Sequence, residues 1–352
     1  MSFPENASIN DGIPDHLCTV QYQTVDDAIK LVKFYGKNCL MAKTDIENSF
    51  KIIPIHPDNQ ELLGFAIQGQ YFYDKTLLIG LSYSCKLFEA LSSAVHQIVD
   101  NKLNGCGCVH VLDDFLFVGH GNSPLCGQTL SSFLDLLTDI GLPIKQEKTV
   151  LPTTAIIFLG LELGSEKMKI RLPEDKMVKL KDKLAYIANM KKVTLEELHS
   201  LIGFLKFAFA VVTPGRAYLR RIIDLAIGLK KKPHHRRRLS KEGRSDIKAW
   251  SIFVDSFNGK GLFLSDTWES SVQLNSFTDV SNLDFGDVFG TQWFAIRWSD
   301  NCLCYHITLK EFFPIVVAIE IWGNQLRNKC VTFFTDNIAV VCIFNKQTLS
   351  TN

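Results

Sequence analysis

The chain has 352 residues, 46% hydrophobic and 21% charged, enough apolar material for two or three compact units and too much for a disordered protein. It has no uninterrupted apolar run of the ~18 residues a membrane span needs, and Met1-Ser2-Phe3-Pro4-Glu5-Asn6 lacks the basic-then-apolar order of a secretion signal, so an intracellular chain without a membrane partner is expected, in cytoplasm or nucleus. The net charge of +1 hides a strong asymmetry: residues 164–265 carry 23 Lys and Arg against 10 Asp and Glu, a net +13, which leaves −12 elsewhere.

In chain order, Val25, Ala28, Ile29 and Val32 predict an amphipathic helix over 25–37, followed by a strand that ends at Asp45. Asn48 to Pro54 reads as a short helix closed by proline. Strands at 63–67 and 70–74 join across Gln68-Gly69 like a hairpin. Leu87, Phe88, Leu91, Ala94, Val95 and Ile98 have the spacing of a buried helix face over 85–100. Two apolar runs, Val109–Leu112 and Phe115–Gly119, then flank Asp113-Asp114, and a helix follows over 130–140. Alternating helices and strands up to about Leu163 predict a mixed sheet domain.

Beyond Leu163 the pattern turns helical. Pro173 opens a helix running to about Asn189, and Thr194-Leu195-Glu196-Glu197 forms a capping box before Leu198, Leu201, Ile202, Leu205 and Phe209. This unit ends near Gly228. The basic run Lys230–Arg238 reads as a connector: a solvated or phosphate-contacting linker, or a nuclear import signal. A third unit follows Gly261, with strands at 276–279, 293–298 and 331–336 and a helix over 309–326 whose Pro314 falls in its first turns.

Asp113 and Asp114 sit at the tip of a predicted hairpin, and a buried carboxylate is strongly disfavoured without a cation or donor. The pair therefore forms a solvated turn or binds a metal. Asp45, ending a second apolar strand, favours the metal: two strand-borne aspartates supply the hard oxygen ligands of a two-Mg²⁺ phosphoryl-transfer site. Cys106, Cys108 and His110 share one strand face, a pattern of core packing more than of zinc. The ten cysteines lack the regular spacing of a disulfide scaffold and fit reduced thiols.

Five segments in order resemble the motifs of a retroelement reverse transcriptase, most closely of the tyrosine-recombinase (DIRS-type) retrotransposons. They are Ala42–Phe50, Gly80–Glu89, Leu112-Asp113-Asp114, Gln146–Thr149 and Phe158–Leu163. The resemblance implies an α+β fold: a right-hand polymerase palm with partial fingers (1–163), a helical thumb (164–228), a basic connector (229–270) and an incomplete ribonuclease H-like α/β domain (271–352). It implies RNA-directed DNA polymerisation with Mg²⁺ or Mn²⁺, with RNA template, DNA primer, RNA–DNA hybrid and dNTPs as partners. Asp45 and Asp113 would hold metal, Asp114 would tune the site, and Lys148 would stabilise or protonate the departing pyrophosphate. Phe50 would exclude a ribose 2′-hydroxyl. Gly80, Phe158, Leu159 and Gly160 would position template and primer, and Arg216, Arg220 and Arg221 would follow the nucleic-acid backbone. Asp279, Glu311 and Asp336 would be ribonuclease H metal ligands.

The departures are specific. Leu78-Ile79 replaces the family's Pro-Phe before Gly80, Ser82 replaces a basic residue, and Val111 replaces an aromatic. The basic strand of the fingers and the fourth ribonuclease ligand have no counterpart, so a fragment with reduced or no activity is expected. The alternative is a non-catalytic nucleic-acid-binding protein derived from such an element.

Overall fold

The computed structural model describes residues 8–102, 106–229, 235–257, 261–263, 268–326 and 329–346. The chain divides into two compact units, residues 1–173 and 174–352.

The first unit is built on a four-stranded antiparallel sheet of β1 (Leu40–Asp45), β4 (Cys106–Val111), β5 (Asp114–Gly119) and β6 (Val150–Thr153), in the order β4-β5-β1-β6. Strand β5 is central, and its five residues Phe115–Gly119 are all buried, as expected of a strand covered on both faces. On one face Phe115 and Phe117 meet Phe133 at ring separations of 4.8 and 5.0 Å. They share a core with Phe88, Val95 and Val99 of the helix Ser84–Lys102 and with Leu130 and Leu137 of the helix Leu125–Asp139. The latter starts five residues before the apolar periodicity because Pro124 sets its entry and the Ser123 hydroxyl accepts from the Leu125 amide.

On the other side, the helix Val25–Tyr35 starts at a Thr24–Asp27 capping box and crosses β4 at Gly107. A Cβ at Gly107 would stand 2.8 Å from Leu31 Cδ2, so the missing side chain sets how closely the helix approaches. Strands β2 (Gly64–Ile67) and β3 (Gln70–Tyr73) pair through Gln68-Gly69, both at positive φ, as a two-residue hairpin turn requires. The segment Ser49–Ile52 is a 3₁₀ turn. Strands β7 (Ala155–Phe158), β8 (Leu161–Gly164) and β9 (Lys169–Arg171) form an antiparallel meander.

In the second unit the helices Glu174–Asn189, Leu195–Ala208 and Lys241–Phe257 bury Leu180, Leu184, Leu198, Leu201, Leu205, Ile247 and Trp250. The Thr194–Glu197 capping box forms as the spacing predicts. Within the basic run, residues 236–238 are extended. As β11 (Arg236–Arg238) they pair antiparallel with β10 (Lys192–Thr194), while residues 230–234 of the run lie outside the described residues.

A three-stranded antiparallel sheet follows, Ser276–Val280, Asp284–Phe289 and Gln292–Arg297. Its middle strand was not legible beforehand, because Asp284, Gly286 and Asp287 break the apolar alternation. The helix Ile307–Trp322 packs on this sheet. The strand expected over 331–336 is only Cys330–Thr332, paired in parallel with Trp268–Ser270, and Asp336 sits in a bend beyond it.

Candidate active site

Three features of the local backbone bring the aspartates of the first unit to one end of the sheet. Register places Asp45, the last residue of β1, directly opposite Asp114, the first residue of β5. The Ile46 amide donates to the Asp113 carbonyl at 3.0 Å. Between β4 and β5 only Leu112 and Asp113 remain as turn residues, since Val111 pairs with Asp114. Leu112 takes φ +53°, a conformation that costs a non-glycine residue on the order of 1–2 kcal/mol and needs surrounding support.

The segment 144–149 lies beside β1. An isolated bridge joins Ile46 to Ile144, the Lys145 amide donates to the Asp45 carbonyl at 2.9 Å, and the Thr44 and Thr149 hydroxyls meet at 2.8 Å. This carries Lys148 Nζ to 2.6 Å from Asp45 Oδ2. That hydrogen bond, followed by the charges of Asp45, Asp113 and Asp114, raises the Lys148 pKa and keeps the ammonium protonated. Asp113 Oδ2 accepts from the Ser49 hydroxyl at 2.8 Å.

Asp114 differs from its neighbours. Burial raises its pKa, the Lys43 ammonium at 4.0 Å opposes that shift, and the charges of Asp45 and Asp113 add to it. Its Oδ1 is buried without a hydrogen-bond partner among the described residues. A buried carboxylate oxygen with no donor, beside two further carboxylates, is a donor set that suits a hard cation. As they stand, however, no three Asp, Glu, His or Cys side chains among the described residues are grouped closely enough to hold one together.

Phe50 is half-buried against the core, its ring 5.5 Å from that of Phe88. Gly80 has φ +98° and open space where a side chain would project. Its loop is held by Asn10, whose Nδ2 donates to the Gly80 carbonyl and whose Oδ1 accepts from the Ser82 amide, both at 2.9 Å. Phe158 is fully buried, and Leu159 and Gly160, at φ +46° and +78°, form the tight turn between β7 and β8.

In the second unit the three arginines have different surroundings. Arg221 is committed to Asp246, donating from Nε at 2.8 Å and Nη2 at 2.6 Å, and Asp246 is buried. Arg220 pairs with Asp224 at 3.1 Å, and Arg216 lies 5.6 Å over the Phe209 ring. Asp279 is exposed and accepts from the Val280 amide, Glu311 Oε2 is buried without a partner among the described residues, and Asp336 is exposed. No hydrogen bond or ion pair among the described residues links these three acids.

Sequence reasoning missed Asn10, Ser49 and Glu89. Ser49 and Glu89 lie inside recognised motifs, but nothing in those segments indicates their partners, Asp113 and the Leu112 amide. Asn10 acts on a loop 70 residues away, and no local signal announces it.

Residues 2–163 match the family model described as reverse transcriptase (RNA-dependent DNA polymerase). The Gag-Pro-Pol polyprotein of Mason-Pfizer monkey virus is 28% identical over 214 residues, which cover 58% of this chain and 11% of that polyprotein. The Gag-Pol polyprotein of Walleye dermal sarcoma virus is 30% identical over 134 residues, 38% of this chain and 7% of that one. The chain thus spans about a tenth of the length of the curated relatives it matches. Among solved structures, a foamy viral protease-reverse transcriptase in complex with double-stranded DNA aligns with a TM-score of 0.54 at 15% identity, covering 89% of this chain and 52% of that one. The same kind of protein in complex with an RNA/DNA hybrid gives 0.52 at 16% identity, covering 89% and 40%. These likenesses show a reverse transcriptase fold of mixed α+β type, and together with the family match they identify residues 2–163 as a reverse transcriptase domain of the kind found in retroviral and retroelement polymerases.

Proposed function

We propose that the first unit carries out RNA-directed DNA synthesis, extending a DNA primer on an RNA template with dNTPs. The observation behind this reading is the placement of Asp45, Asp113 and Asp114 at one end of the sheet, with Lys148 Nζ 2.6 Å from Asp45 Oδ2. Asp45 and Asp113 would hold Mg²⁺ or Mn²⁺, which when bound supplies a lowered pKa at the primer 3′-hydroxyl and neutralises phosphate charge. Asp114, half-buried and with its Oδ1 short of a donor, tunes the field at the pair. Lys148 stays protonated and faces the place where pyrophosphate leaves, a position for electrostatic stabilisation of the departing charge. Phe50 excludes a 2′-hydroxyl, the Asn10-braced Gly80 loop lets the template base pair approach, and the Phe158–Gly160 turn bears on the primer.

The remaining assignments belong to the same proposal. Residues 164–228 act as thumb and 229–270 as connector. Residues 271–352 derive from a ribonuclease H with Asp279, Glu311 and Asp336 as its acids, and the motif spellings ally the chain with the DIRS-type elements. A non-catalytic nucleic-acid-binding role is the second reading, favoured by Ser82 where a cation is usual and by the absence of a ready three-carboxylate cluster among the described residues.

The deciding experiment is primer extension on an RNA template with Mg²⁺ or Mn²⁺, comparing the chain with Asp113→Asn. Metal-dependent synthesis lost in the variant supports the polymerase. Duplex binding without synthesis at any metal concentration favours the second reading.

A further inference from the structure

The turn that presents Asp113 is braced from behind by a buried acid, the last residue of the Gly80–Glu89 segment, to which no role has been assigned. Glu89, on the helix Ser84–Lys102, is 7% exposed. Its Oε2 accepts the Leu112 amide at 3.1 Å, and its Oε1 lies 3.2 Å from His110 Nε2. Leu112 is the residue held at φ +53°. As the first residue of a two-residue hairpin turn, it has an amide outside the β4–β5 ladder. A side-chain oxygen within reach gives that amide the acceptor the ladder does not supply, which offsets the cost of the left-handed conformation.

His110 is itself restrained at three points. Its ring stacks on Phe115 at 5.2 Å, its backbone amide donates to Gln23 Oε1 at 2.8 Å, and its Nδ1 meets His96 Nδ1 at 2.6 Å. His96 Nε2 continues to Asp100 Oδ2 at 3.4 Å. Glu89 Oε1 thus stands beside a restrained ring without a hydrogen bond to Nε2, while Oε2 is the oxygen that accepts the Leu112 amide.

We propose that Glu89 is a positioning residue, which through the Leu112 amide holds the turn in the conformation that presents Asp113 at the end of the sheet, with its carboxylate on the Ser49 hydroxyl. This rests on the polymerase reading for its consequence in catalysis, but not for the contact itself. The chain uses the reach of Glu89, more than its charge, and the two can be separated by conservative substitution.

Glu89→Gln keeps the length and a carbonyl acceptor but removes the charge, whereas Glu89→Asp keeps the charge and loses one methylene of reach. Exchange of the Leu112 amide and steady-state primer extension are measured for both. The expected result is a Leu112 amide that stays protected in Glu89→Gln and exchanges at least ~10-fold faster in Glu89→Asp. In extension, Glu89→Asp should lose ~10-fold or more in kcat, with the dNTP KM changed by less than ~3-fold, and Glu89→Gln should stay within a few-fold of the parent; ~1 Å of misplacement costs up to ~10²-fold. The reverse order, with Glu89→Asp behaving like the parent and Glu89→Gln impaired, would overturn the proposal and make Glu89 the counter-charge of His110. Equal protection in both variants would overturn it as well. A parent chain that extends no primer would sink the polymerase reading alone, since amide exchange still decides the role of Glu89.

Discussion

Phe50 faces two demands at once, and its contacts allow them to be told apart. The ring packs 5.5 Å from Phe88 and is only partly buried, so part of its surface is left for a ligand. Phe50→Ala should therefore lower thermal stability modestly, by about 1–3 kcal/mol, and should also lower discrimination between dNTP and rNTP by ~10-fold or more. A stability loss with unchanged discrimination would make Phe50 a core residue only. Lys148→Met tests a different point: it removes the ammonium from Asp45 without shortening the side chain much. Synthesis should fall by ~10–10²-fold in kcat, and the metal concentration for half-maximal rate should drop, since a competing cation has left. An increase in that concentration would mean that Lys148 helps to assemble the site. At this scale the aspartates were legible because charge interrupts apolar runs at Asp45 and Asp113. Ser49, Glu89 and Asn10 were not, because their partners stand 64, 23 and 70 residues away and polar side chains carry no periodicity.

Elements with a clear hydrophobic period were read to within a few residues, and those without it were missed. The helix Ser84–Lys102 and the hairpin β4–β5 were legible because one face of each is continuously apolar. The strand Asp284–Phe289 was not, and the cause also makes a prediction. Asp287 is 2% exposed at the middle of this strand, and its Oδ2 has no partner among the described residues. Burial raises its pKa to about 6, against backbone donors at Phe277 and Val288 and the Ser276 hydroxyl, which lower it. The folded state thus holds its proton more tightly than the unfolded chain does. The stability that this proton supplies is fully present below the unfolded value near 4 and is lost as pH rises through about 6. Asp287→Asn should stabilise the second unit at pH 7, by on the order of 2 kcal/mol, and flatten the pH dependence of its melting between pH 4 and 6. Melting curves that keep the same slope in that window would show that Asp287 is ionised in the fold. Gly215 offers a contrasting case, where shape decides. A Cβ there would lie 2.3 Å from the buried Trp250 ring, so Gly215→Ala should cost ~1–3 kcal/mol of stability in the second unit.

Over the whole chain, charge is segregated: the net +13 of residues 164–265 is set against −12 in the rest. Composition alone showed this, but it could not show which cations are available. Arg221 is tied to buried Asp246, so its replacement would mix lost folding with lost binding. Arg216, Lys192 and Arg238 are better probes, because all three are exposed and the latter two face each other across the β10–β11 pair. If this region follows the phosphate backbone of an RNA–DNA duplex, binding releases counterions and log Kobs falls linearly with log salt, by roughly 0.7–0.9 per phosphate neutralised. Neutralising Arg216, Lys192 and Arg238 to Gln should then reduce that slope by about 2–3 and weaken binding similarly for any duplex sequence, because phosphate contacts carry no sequence information. Fluorescence anisotropy with a labelled hybrid between low and moderate salt gives the slope directly. An unchanged slope in the triple variant would assign the cationic surface to solvation and move the nucleic-acid contact elsewhere in the chain. A changed slope confined to one duplex sequence would point instead to base readout, which an A-form groove does not favour.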